Sequence, residues 1–107
     1  MKRHNPPTIL KALLISAVLS MTACETAPPV QEMSDARQAI AVAREAGAAE
    51  HAAFHLKAAE DYLQSAERRL NAREYTQARR DAKQAKMKAL DALKATEADR
   101  VRPENTE

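Results

Sequence analysis

Leu56-Lys57-Ala58-Ala59-Glu60-Asp61-Tyr62-Leu63-Gln64-Ser65-Ala66-Glu67-Arg68-Arg69-Leu70 is the stretch from which the fold is read. Leu56, Ala59, Leu63, Ala66 and Leu70 step by 3, 4, 3 and 4, the spacing that lines up side chains along one side of an α-helix. On the C-terminal side, Ala78, Ala82, Ala85, Ala89 and Ala92 step by 4, 3, 4 and 3, with Met87, Leu90 and Leu93 expected to widen the stripe. On the N-terminal side, Met33, Ala36, Ile40, Ala43 and Gly47 repeat the spacing, with an N-cap expected at Ser34 or slightly earlier. Gly47 suits the left-handed position that closes such a helix. The middle helix is expected to begin between Glu50 and Ala53 and to stop around Asn71-Ala72-Arg73. The last must end before Pro103, because the residue ahead of a proline avoids the helical region.

Short connections make consecutive helices antiparallel neighbours. The fold class read from this pattern is all-α: an antiparallel three-helix up-down-up bundle with Ala-rich heptad seams. Alanine at a seam lets helix axes approach closely but buries little area. Most apolar burial is therefore expected from Ile40, Leu56, Leu63, Leu70, Leu90 and Leu93, with Tyr62 and Tyr75 packed at the seam and their hydroxyls wet. With one Gly, no Trp and only Phe54, Tyr62 and Tyr75 as aromatics, the composition argues against a β-sandwich.

The N-terminal region reads differently. Lys2, Arg3 and Lys11 precede an apolar run from Ala12 to Ala23 that ends at Cys24, the sole cysteine. A dozen apolar residues fall short of the roughly 20 that span a bilayer, and this layout is that of a cleaved signal peptide. Met21-Thr22-Ala23-Cys24 resembles the lipobox of bacterial lipoproteins. That resemblance implies cleavage after Ala23, lipidation of the Cys24 thiol and acylation of the new amino terminus. Glu25 stands where aspartate would retain a lipoprotein in the inner membrane, so an outer-membrane, periplasm-facing anchor is expected. A single cysteine cannot pair within an exported chain, which argues against a structural disulfide. The expected organisation is a signal peptide over 1–23, the lipidated cysteine and a flexible tether over 24–32, a helical domain over 33–100 and a disordered tail over 101–107.

Two resemblances extend over the helices. Leu70-Asn71-Ala72-Arg73-Glu74-Tyr75-Thr76-Gln77-Ala78, with Ala82 and Ala85, resembles the helix-turn-helix of tetratricopeptide repeats, which makes the second and third helices tetratricopeptide-like. Arg73 or Glu74 replaces the turn glycine, and a solenoid would need about three copies. The lipobox, the Pro28-Pro29 tether, the first helix ending in Gly47, and the alanine-spaced second and third helices together resemble a family of short proteobacterial lipoproteins. That family is catalogued as a domain of unknown function, and its domain also occurs joined to OmpA-like modules. The resemblance implies an envelope role and brings no catalytic residues.

Charge is read after the signal is set aside. The chain carries 17 basic and 15 acidic residues, and Lys2, Arg3 and Lys11 leave with the signal, so the mature chain has net charge −1. From Glu25 to Glu67 acids dominate, and from Arg68 to Lys94 bases do. Attraction between these halves would set helix register. The same cations, with Arg79, Lys83 and Lys86 along one face, form a candidate interaction face toward peptidoglycan, lipid phosphates or an acidic protein. His51 and His55, four apart, have zinc-like spacing but would need Glu50 or Glu60 to complete a site, so no metal is expected. No nucleophile, paired carboxylate or Gly-rich loop suggests an enzyme, a cofactor or a small-molecule substrate. Nucleic acid is not expected either, given the compartment and the lack of interleaved aromatics. The expectation is a non-enzymatic envelope lipoprotein with a membrane anchor at Cys24 and a periplasmic helical domain serving as adaptor or structural element. The alternative is a homo-oligomeric coiled-coil lipoprotein of the murein-lipoprotein kind, which Gly47 and the Asn71–Glu74 turn would interrupt.

Overall fold

The computed structural model describes residues 27–102, and Ala23, Cys24 and the tail beyond Arg102 lie outside them. The described residues are all-helical: α1 Val30–Ala46, α2 Ala48–His51, α3 Ala53–Asn71 and α4 Tyr75–Val101.

Helix α1 starts earlier than its periodicity suggests, inside the stretch assigned to the tether. Pro29 is its N-cap, and the Pro29 carbonyl accepts the Met33 N–H at 3.0 Å. A proline lacks the N–H that a helix start leaves unpaired, so it initiates where Ser34 was expected to. Ser34 is an exposed residue inside α1, past its first turn. Helix α1 ends as expected: Gly47 has φ +102° and donates its N–H to the carbonyls of Ala43 and Arg44. The Gly47 carbonyl then accepts the N–H groups of Glu50 and His51, closing the single turn α2. Ala52, at φ −147°, breaks the path before α3. A tighter turn joins α3 to α4, where Arg73 sits at φ +60° and the Glu74 N–H donates to the Arg69 carbonyl at 2.8 Å. For a residue with a Cβ that conformation costs about 1–2 kcal/mol.

Burial follows the alanine spacing closely. Met33, Ala36, Ile40 and Ala43 of α1 are buried, as are Leu56, Ala59 and Ala66 of α3. Helix α4 buries Ala78, Ala82, Ala85, Ala89, Ala92 and Thr96, one continuous stripe. Thr96 extends the stripe by four residues and meets its polar obligation by donating its Oγ1–H to the Ala92 carbonyl at 2.8 Å. One core cluster joins Ile40, Ala43, Ala48, Leu56, Ala89 and Ala92, and a second joins Met33, Ala66 and Ala82. Half-buried Leu63 packs against both, and Leu70 against the second.

The larger apolar residues of α4 do not widen the core. Met87 and Leu90 are 57% and 41% exposed, and Leu93 is half-buried. Successive residues turn by about 100°, so Leu90 and Met87 point away from the line through Ala85, Ala89 and Ala92. Tyr62 likewise faces solvent, while Tyr75 is half-buried. Alanine and not leucine decides which side of α4 meets its neighbours.

Ion pairs fix how the helices align. Arg37 pairs with Glu67 and Arg44 with Glu60, so residue numbers rise along α1 as they fall along α3. Glu32 pairs with Arg79 and Asp35 with Lys86, so numbers rise together along α1 and α4. Ser65 and Arg69 of α3 meet Asp81 of α4, and His51 of α2 meets Asp99 near the far end of α4.

Candidate interaction face

The acidic first half and basic second half of the chain meet across α1 and α4. Arg79 is the most embedded of the three cations singled out from the sequence. Its Nε lies 3.2 Å from Glu32 Oε1, and its Nη2 donates to the Ala27 carbonyl at 2.9 Å. Both partners of the Glu32–Arg79 pair are about three-quarters buried, so their attraction is screened less than that of a free surface pair. Lys86 Nζ stands 3.9 Å from Asp35 Oδ2, a looser contact. Lys83 is exposed and has no carboxylate within ion-pair distance among the described residues. Arg79 and Lys86 therefore face α1, and the three cations do not form one free surface.

A second network closes the α3–α4 turn. Arg69 Nε lies 3.0 Å from Asp81 Oδ2 and its Nη1 2.9 Å from Glu74 Oε2, while Ser65 Oγ donates to the same Asp81 oxygen at 2.7 Å. Sequence reading missed this network. Its trace is the step from Ser65 to Arg69, one helical turn on the same side of α3.

The histidines do not share a helical face. The break at Ala52 puts His51 in α2 and His55 in α3. His51 Nδ1 lies 2.6 Å from Asp99 Oδ2, clasping the α2 corner to the end of α4. His55 packs edge-on to Phe54, ring centroids 5.7 Å apart. Glu60, one of the two carboxylates that would have completed a zinc site, is held by Arg44 Nη2 at 2.6 Å. Among the described residues no three His, Cys, Asp or Glu side chains are placed to hold a metal.

Two open grooves flank the core. The larger, about 480 Å³, lies between α1 and α3 over Ile40 and Leu63, and its rim carries the Arg37–Glu67, Arg44–Glu60 and Lys57–Asp61 pairs. The smaller, about 200 Å³, lies between α1 and α4 and is lined by Ala39, Val42, Leu90 and Leu93, with Asp35 and Lys86 at its edge. Neither brings together a nucleophile and a base. No described helix is long and apolar enough to cross a membrane.

No curated protein and no solved structure matches the chain. A family model does, over residues 31–106, which spans all four helices but for the first residue of α1. The chain belongs to the family described as domain of unknown function DUF4398.

Proposed function

We propose that this protein is a non-enzymatic envelope lipoprotein, anchored through lipid on Cys24 in the outer membrane, whose periplasmic helical domain acts as an adaptor or structural element. The observation that carries the proposal is Met21-Thr22-Ala23-Cys24 at the end of a short apolar run in a chain with no other cysteine. The described helices add support of a different kind. Much of their apolar surface is spent on a narrow alanine seam, and none of them is long and apolar enough to cross a membrane, so an anchor would have to come from elsewhere.

For the domain we propose a three-helix up-down-up bundle formed by α1, α3 and α4, with α2 as a corner. The order of the ion pairs along the helices supports it, and so do the two turns closed at Gly47 and Arg73. A tetratricopeptide-like character of α3 and α4 is supported by half-buried Tyr75 followed by buried Ala78, Ala82 and Ala85. A homo-oligomeric rod would need one unbroken helix, whereas the longest here is the 27 residues of α4.

Radiolabelled palmitate supplied to cells should enter the native protein and not Cys24→Ala, which should move to the soluble fraction. Acyl chains contribute about 0.8 kcal/mol per buried CH₂, and two or more anchor firmly. Label in the Cys24→Ala protein would refute the assignment.

A further inference from the structure

The helix begins at Val30 instead of Met33, which leaves five residues between Cys24 and α1. From Cys24 to Ala27, fully extended, the chain spans about 10 Å. An anchor at Cys24 would therefore hold one particular end of the domain at the membrane surface. That end is defined by contacts: Arg79 donates to the Ala27 carbonyl, Arg79 pairs with Glu32, and Arg69 pairs with Glu74. The start of α1, the end of α3 and the start of α4 thus lie together.

Three arginines stand on this end without a carboxylate within ion-pair distance among the described residues: Arg68, Arg73 and Arg80, all exposed. The nearby acids Glu32, Glu74 and Asp81 are already held by Arg79 and Arg69. Arg68 and Arg69 line a shallow cavity of about 260 Å³ with Ser65, Ala72 and Glu74. Arg73 occupies the turn at φ +60°, where glycine would be unstrained, and is exposed there. Val30, the first residue of α1, is 71% exposed.

We infer that this end of the domain is a docking surface for the phosphates of anionic phospholipids, with Arg68, Arg73 and Arg80 as the contacting cations. Guanidinium groups match phosphate with paired N–H donors, and cations near an anionic bilayer are attracted within a Debye length of its surface. The anchor reading enters only in bringing this end to the bilayer; the affinity of the arginines for lipid does not depend on lipidation. Docking would hold α3 and α4 upright from the membrane and present the grooves and the Phe54 corner toward the periplasm.

The test uses the domain lacking residues 1–24, since the core clusters and ion pairs all fall between Pro29 and Asp99. Sedimentation with phosphatidylglycerol vesicles at low salt should show binding that pure phosphatidylcholine vesicles do not. Arg68→Gln/Arg73→Gln/Arg80→Gln should lower the partition coefficient about a hundredfold, from about fivefold per cation. A control of equal charge at the opposite end, Lys94→Gln/Arg100→Gln/Arg102→Gln, should change it by no more than a few fold. Arg73→Gly alone should raise the melting temperature, by relieving the positive φ, yet weaken binding. Equal losses from both triple variants would reduce the effect to net charge and overturn the inference, as would no binding at all. Palmitate labelling tests the anchor separately, so the two ideas can fail independently.

Discussion

Ala89→Leu tests whether alanine is at the seam because nothing larger fits. Ala89 is fully buried in a cluster with Ile40 and Ala43 of α1, and Leu56 and Ala59 of α3. Leucine adds three carbons. If the helices could move apart freely, their burial would stabilise the domain by up to about 2 kcal/mol. Here α1 and α3 both press on the same stripe of α4, and Ala85 and Ala92 on either side are fully buried too. Separating the axes to admit one leucine strips contact from its neighbours, so overpacking dominates and the expected net loss is about 1–3 kcal/mol. For a domain of this size that is a melting point lower by about 5–20 °C. Leu90→Ala, one residue on and 41% exposed, is the control and should cost about 1 kcal/mol or less. Both are read by circular dichroism melts and urea titrations of the domain lacking residues 1–24. A melting point that rises or holds steady in Ala89→Leu would refute the close-packed seam.

Leu63→Ala should cost about 1.5–3 kcal/mol, below a fully buried leucine because Leu63 is half-buried, yet substantial because it touches both core clusters. Lys57→Ala, which loses only an exposed pair with Asp61, should stay within about 0.5 kcal/mol in the same urea titrations; equal effects would mean the seam of α3 is misphased. Gly47→Ala should lose about 1–2 kcal/mol through its positive φ, since a Cβ there would meet His51 Cδ2 at an ordinary 3.4 Å; an unchanged melt would contradict this. Reversing Arg79, Lys83 and Lys86 to Glu should lower stability by setting Glu against Glu32 and Asp35, with most of the loss from Arg79. If the triple variant melted normally and lost salt-sensitive binding to isolated cell wall, these cations would instead be a docking face.

The seams were legible because alanine spacing alone identifies them. All four non-glycine positions read on α1, and all five alanines read on α4, are buried. Thr96 escaped notice because it counts as polar, although it lies on the same stripe and satisfies its hydroxyl within its own helix. Leu90 and Met87 depart from expectation for the converse reason: hydrophobicity does not imply burial on a helix whose orientation alanine decides. The start of α1 was hidden because Pro28-Pro29 reads equally as a tether or as a helix cap. The one-turn α2 is too short to show a period, and its presence separates His51 from His55. On the candidate face, the acid-rich and base-rich halves pointed to pairing between α1 and α4, but charge runs do not say which cation finds a partner. Arg79 does and Lys83 does not.

The central claim is the lipid anchor, and mass spectrometry of the N-terminal peptide from protein purified out of membranes tests it most directly. The account predicts a chain that begins at Cys24, with a diacylglyceryl group on its sulfur and an acyl chain on its amino group. A free thiol at Cys24, or a chain still carrying Ala23 and the residues before it, would contradict it.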